Sequence, residues 1–292
     1  MSATSSKSST YVKTNFPPTE LVSTRIAPVH AVFIDQLEQA TPGAESVHQQ
    51  AAGELQLHWK TLISNLLSYD IDLDRAVYAG TQIAQYAGSA QIQDLRALMR
   101  INDTFVMGVI AEPLARLQGA QALPALFHAL RCIELEGANC AQITDLIGHV
   151  IRAQPGHSFQ ILMDLLGDPS QITRRDAVWA MSFLPAPLAL PPLLSMLRDS
   201  RMEVRVSAAN ALKHFRNPIA ITALIGSLRD WESEVRCASA AALGWIGDPN
   251  AFNALAAACT DQDPLVRAFV REAIQRLPIQ WVQTPQNDPT PT

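Results

Sequence analysis

Four aspartates, Asp168, Asp199, Asp230 and Asp261, fall 31 residues apart, and an arginine stands six places after each: Arg174, Arg205, Arg236 and Arg267. Six places before each aspartate stands a leucine: Leu162, Leu193, Leu224 and Leu255. A period of this length means that each unit is one supersecondary element, unable to bury its apolar face alone, and that stacked neighbours supply a continuous core. Each unit reads as two helices. The first is short and apolar, as in Ala220 to Leu228, where apolar residues recur at helical spacing. A polar turn headed by the repeated Asp follows. The second helix is rich in alanine, as in Val235 to Ile246, and stops at Gly247-Asp248-Pro249, a strong terminator. Pro191 and Pro218 suit the start of a first helix, where a missing N–H costs nothing.

The period continues upstream in blurred form. Val106 to Gly119 followed by Leu123 to Phe127 keeps the order of second helix then first helix, and Asp74 to Gly88 followed by Ile92 to Met99 does so again. The unit from Leu123 to Ile151 carries extra residues around Glu134 to Asn139 and lacks the arginine. The expected architecture is all-α: a right-handed α-solenoid of about seven hairpins over 53–280. An irregular helical cap is expected over 28–52, and disordered tails over 1–27, which opens on a Ser/Thr-rich run, and over 281–292.

Composition narrows the function classes. The chain has 22 Lys+Arg against 27 Asp+Glu, so no global field draws it to nucleic acid or to anionic lipid. The most apolar stretch, Leu184 to Leu194, is interrupted by Pro185, Pro187, Pro191 and Pro192, which argues against a membrane span. Four cysteines in a chain of this length do not make a disulfide scaffold, so a reduced, cytoplasmic protein is expected.

At the repeated residues the chain resembles the HEAT-repeat superfamily, and within it the short repeats typified by phycobilisome bilin lyases. Asp230 to Asp248 carries the likeness most clearly, with Val235-Arg236 and Ala242-Leu243-Gly244-Trp245-Ile246-Gly247-Asp248. The likeness is specific over Phe159 to Leu277, looser over Gly53 to Ile151, and absent from both tails. It implies the solenoid fold but not one chemistry, because the fold hosts many functions.

A residue present in every repeat serves every repeat, so the Asp and Arg rows are expected to be a structural ladder rather than an active site. The Asp can cap the second helix or hold the turn, and the Arg can reach the Asp of its own or the next unit. Function is expected where repeats differ. Residues one, five and nine past each Arg share one face of the second helix; in the resembled family that face is polar and lines the concave surface. Here it carries Arg175, Trp179 and Phe183, then Val206, Asn210 and His214, then Cys237, Ala241 and Trp245, then Ala268, Glu272 and Arg276. Trp179, Phe183 and Trp245 are expected to form an aromatic strip flanked by Arg175 and Arg276, with His214 in its middle, and such strips anchor protein partners. The alternatives are that the C-terminal tail covers these rings, or that a one-residue shift of register buries them.

No catalytic set is legible. None of the seven histidines (His30, His48, His58, His128, His149, His157, His214) is followed by Glu, so the His-Glu pairs of HEAT-repeat iron hydroxylases are missing. His-Glu-x-x-His, Cys-x-x-Cys, Gly-x-Ser-x-Gly and phosphate-cradling glycine loops are missing as well. Cys132 and Cys140, with His128 and His149, share the one irregular repeat and are a candidate metal or redox cluster, set against ordinary packing. A HEAT-like DNA glycosylase would have a cationic concave face, which the acidic balance disfavours. The leading expectation is a non-catalytic scaffold or adaptor that binds another protein on the concave face, without a cofactor, nucleic acid or membrane. The resemblance implies a second reading: a bilin lyase or lyase-like chaperone, gripping a linear tetrapyrrole as a transient ligand with the same aromatics and with Arg175 and Arg276, assisted by Cys237 or His214.

Overall fold

The structure, a computed structural model, describes residues 44–137 and 140–278. The tails expected over 1–27 and 281–292, and residues 28–43 of the expected cap, lie outside the described residues. The chain divides into two units, residues 1–58 and 59–292. Of the first, 44–58 are described, all within helix α1 (Ala44–Leu66), which runs unbroken through positions 52 and 53.

Every other helix belongs to the second unit. They are α2 (Leu73–Tyr86), α3 (Ile92–Leu98), α4 (Thr104–Gln118), α5 (Leu123–Leu135), α6 (Ala141–Ala153), α7 (Pro155–Leu166), α8 (Gln171–Ala180), α9 (Ala186–Met196), α10 (Met202–Leu212), α11 (Pro218–Ser227), α12 (Ser233–Ile246), α13 (Phe252–Ala258) and α14 (Pro264–Arg276). In the second unit, odd-numbered first helices alternate with even-numbered second helices from α3 onward and form six successive hairpins of an all-α solenoid after α2, with no strand among the described residues. Each second helix from α4 onward packs on the second helix before it, whereas successive first helices touch sparingly.

The repeat fills the same slot in each hairpin with the same kind of side chain. Leu162, Leu193, Leu224 and Leu255 are all fully buried, as are Val204, Val235 and Val266, each just before its Arg. All of them but Val235 belong to one core cluster that runs from Trp59 to Leu277. At the end of α12, Gly247 adopts φ 68°, the left-handed conformation that glycine takes without penalty, and its N–H closes on the Leu243 carbonyl. Asp248 then restarts the chain by accepting the Asn250 N–H.

One proline lies elsewhere than expected. Pro218 opens α11, but Pro191 does not open a helix: α9 begins at Ala186 with Pro187 in its first turn, and Pro191 and Pro192 lie in its interior. Two interior prolines remove two helical N–H donors. The segment stays helical because Ala189, Pro192 and Leu193 of the same turns are buried in the core.

Candidate functional site

The repeated Asp and Arg side chains are joined from hairpin to hairpin. Arg174 donates from Nε and Nη2 to both carboxylate oxygens of Asp199 (2.9 and 3.0 Å), Arg205 to Asp230 (2.9 and 2.9 Å) and Arg236 to Asp261 (2.8 and 2.9 Å). The remaining nitrogen, Nη1, turns back to the carbonyl of the Asp six places earlier: Asp168, Asp199, Asp230 and, from Arg267, Asp261. Each Asp also accepts the N–H two residues on, at Ser170, Arg201, Glu232 and Asp263, which are the N-cap positions of α8, α10, α12 and α14. The Asp therefore holds the turn from two residues outside the cap. Burial by itself would raise Asp199, but the Arg174 hydrogen bonds and the Arg201 N–H take its carboxyl below the usual range. The Arg236 hydrogen bonds do the same for Asp261 against its burial.

Upstream, other chemistry joins the hairpins. Tyr69 donates to Asp103 (2.7 Å), whose other oxygen caps the Val106 N–H, and Thr104 donates to Glu136 (2.7 Å). That bond to Asp103 is the main reason the Tyr69 phenol is pushed above its ordinary value. Arg131 on α5 and Arg175 on α8 both pair with the buried Asp176.

The residues expected to form the strip fall into two separate groups. Trp179 and Phe183 meet edge to face at 5.2 Å between ring centroids, both half-buried, with the Arg152 guanidinium 5.7 Å from the Phe183 centroid. Phe183 also packs at the Gly148 position of α6. Trp245 is 62% exposed and lies between two cations, Arg276 at 5.2 Å and Lys213 at 5.8 Å. Arg276 also bonds Glu272 at 2.6 Å, and Arg175 is turned to Asp176 rather than to a ring. His214 is exposed beside Lys213; partial desolvation and that ammonium lower its pKa. Phe183 and His214 lie past the ends of α8 and α10, Phe183 in a 3-10 turn (Met181–Phe183), so a straight helical face does not carry all six residues. Arg152 and Lys213 were missed by the sequence reading. The signal was their position beside the aromatic row, one on α6 of the irregular repeat and one directly before His214.

Of the cysteine–histidine candidates, Cys132 Sγ lies 3.9 Å from His128 Nε2, and both face Asn102 Oδ1 (3.9 and 2.8 Å). Cys140 and His149 have no polar contact with them, and no group of three or more His, Cys, Asp or Glu side chains among the described residues is placed to hold a metal. All four cysteines are free thiols, and burial raises that of Cys237.

Trp231 is a further missed residue. It occupies the place after the repeated Asp, where other units have Pro169, Ser200 and Gln262. It is 74% exposed, with Arg205 4.2 Å from its ring centroid. Among the described residues no helix is long and apolar enough to cross a membrane.

No curated protein matches the chain. Among solved structures, it is similar to human deoxyhypusine hydroxylase in complex with glycerol, at 17% identity over 77% of this chain and 98% of that one, with a TM-score of 0.38. It is also similar to a designed armadillo repeat protein in complex with the peptide (KR)4, at 19% identity over 75% of this chain and 98% of that one, with a TM-score of 0.39. The family model for HEAT repeats matches residues 142–213 and 190–275, the stretch that carries the Asp–Arg pairs.

Proposed function

We infer that this protein is a non-catalytic scaffold or adaptor that binds a partner protein along the face of its second helices, the concave face of the solenoid. The observation that carries the reading is Trp245: a large ring, 62% exposed, held between Lys213 and Arg276 on a helix whose other turns are packed. Aromatic side chains set among arginines are the usual anchors of protein interfaces. Trp179 and Phe183 with Arg152 supply a second anchor, and His214 and Arg175 complete the surface between them. The ladder of Asp168, Asp199, Asp230 and Asp261 with Arg174, Arg205, Arg236 and Arg267 is assigned to holding this surface in shape.

The test compares capture of partners from native extract by the wild-type protein and by a Trp179→Ala, Phe183→Ala, Trp245→Ala variant. Proteins that bind through the strip are retained by the first and lost by the second, with the circular dichroism of the two unchanged. An identical set of captured proteins would remove the strip from the interface.

A further inference from the structure

A groove of about 760 Å³ opens between α9 and α11, lined by residues of these helices and of the turns after them, with Arg205 of α10, and by none of the strip. Its floor is apolar, with Leu194, Leu197 and Ala223, and it stays open at Gly226, where an added Cβ would meet nothing within 4 Å. Its rim carries four exposed side chains. Trp231 is 74% and Ile219 64% exposed. Arg198 and Arg229 are both exposed, stand one repeat apart, and make no ion pair among the described residues. The one carboxylate lining the groove, Asp230, is already held by both Arg205 nitrogens, so the lining presents the two free guanidiniums as its uncompensated charge. An acidic protein that leaves two cations unpaired beside an exposed tryptophan and an apolar trough has a surface complementary to an anionic, partly apolar ligand.

We propose that this groove is a docking site for a short extended segment of a partner protein, with acidic residues about three positions apart around an apolar side chain. The spacing follows from geometry. Packed helices lie about 8–10 Å apart, and a polyproline-II chain advances about 3.1 Å per residue with three residues per turn, so positions three apart share one face and span about one repeat. The carboxylates meet Arg198 and Arg229, while the apolar side chain enters over Trp231 and Ile219 toward Gly226. The site lies on the first-helix side and does not depend on the strip around Trp245.

The experiment is fluorescence anisotropy on the full chain with a labelled peptide in which two glutamates, three positions apart, flank a leucine. Saturable binding is expected, weakened about tenfold or more by Arg198→Glu with Arg229→Glu, as for loss of close charge pairs at an interface. Gly226→Leu fills the trough without backbone strain and is expected to abolish binding while leaving the melting temperature unchanged or higher. Trp179→Ala, Phe183→Ala, Trp245→Ala is expected to bind the peptide as the wild type does, which separates this site from the concave-face reading. Failure of the peptide to saturate, undiminished binding by Gly226→Leu, or equally tight binding of a single-stranded oligonucleotide would overturn the proposal.

Discussion

Arg205 is 1% exposed, and every face of its guanidinium is used: two nitrogens on Asp230, the third on the Asp199 carbonyl, and its plane against Trp231. A cation this buried is tolerated because its hydrogen bonds are complete, and removing one member of such a pair strands the other. Arg236 is the equivalent residue one repeat on, with side-chain exposures of 7% for itself and 11% for Asp261. Arg236→Ala is therefore expected to destabilise the protein by about 3 kcal/mol in urea titration. Arg236→Lys should recover only part of that, since an ammonium cannot make the paired bonds. The carboxylates set a pH dependence. Asp199 and Asp261 are held below 3.8 when folded, so the unfolded chain takes up more protons as the pH falls toward and below that value. Stability is then full above 3.8 and lost as pH drops through the folded values. Urea midpoints measured from neutrality down to about pH 3 should fall most steeply at the acid end. A double Asp199→Asn, Asp261→Asn variant should show a shallower fall there. The aspartate and arginine rows were legible from spacing alone, but not the direction of the bond. Own Asp and next Asp are equally reachable in sequence, and only the rise from hairpin to hairpin brings the next carboxylate to about 2.9 Å from the guanidinium.

The contact between α12 and α14 shows why Ala-Leu-Gly ends a repeat's second helix. A Cβ on Gly244 would lie 2.7 Å from the Ala273 Cα and 2.9 Å from its Cβ, closer than real atoms approach. Because the obstacle is backbone, it cannot swing aside. Gly244→Ala is expected to lower stability by about 1–3 kcal/mol despite the better helix propensity of alanine, read as a lower melting temperature. The element pattern was legible because apolar period, turn aspartate and Gly-Asp-Pro agree over Ala220 to Pro249. It failed where tertiary burial overrides local preference, as at Pro191 inside α9. Of the proposed docking face, the residue types were legible in the sequence but not their placement. A continuous α-helix would carry the whole face, yet α8 ends at Ala180 and α10 at Leu212, which moves Phe183 and His214 off it. Trp231 stands in a turn, outside the second-helix face on which variation between repeats points to function.

In a stack, each hairpin touches mainly its neighbours, so damage stays local. Arg236→Ala should raise amide hydrogen exchange first in α12 and α14 and leave α2 to α4 near wild type; a uniform rise along the chain would contradict nearest-neighbour coupling. The same modularity keeps the proposed strip on second helices separate from the proposed groove site between α9 and α11. The central claim concerns the strip, and radical footprinting of the protein with and without its captured partner tests it most directly. Trp245 is predicted to oxidise readily in the free protein and to be protected in the complex, with Trp231 reporting separately on the groove. Equal oxidation of Trp245 in both states would contradict a partner seated on the second-helix face.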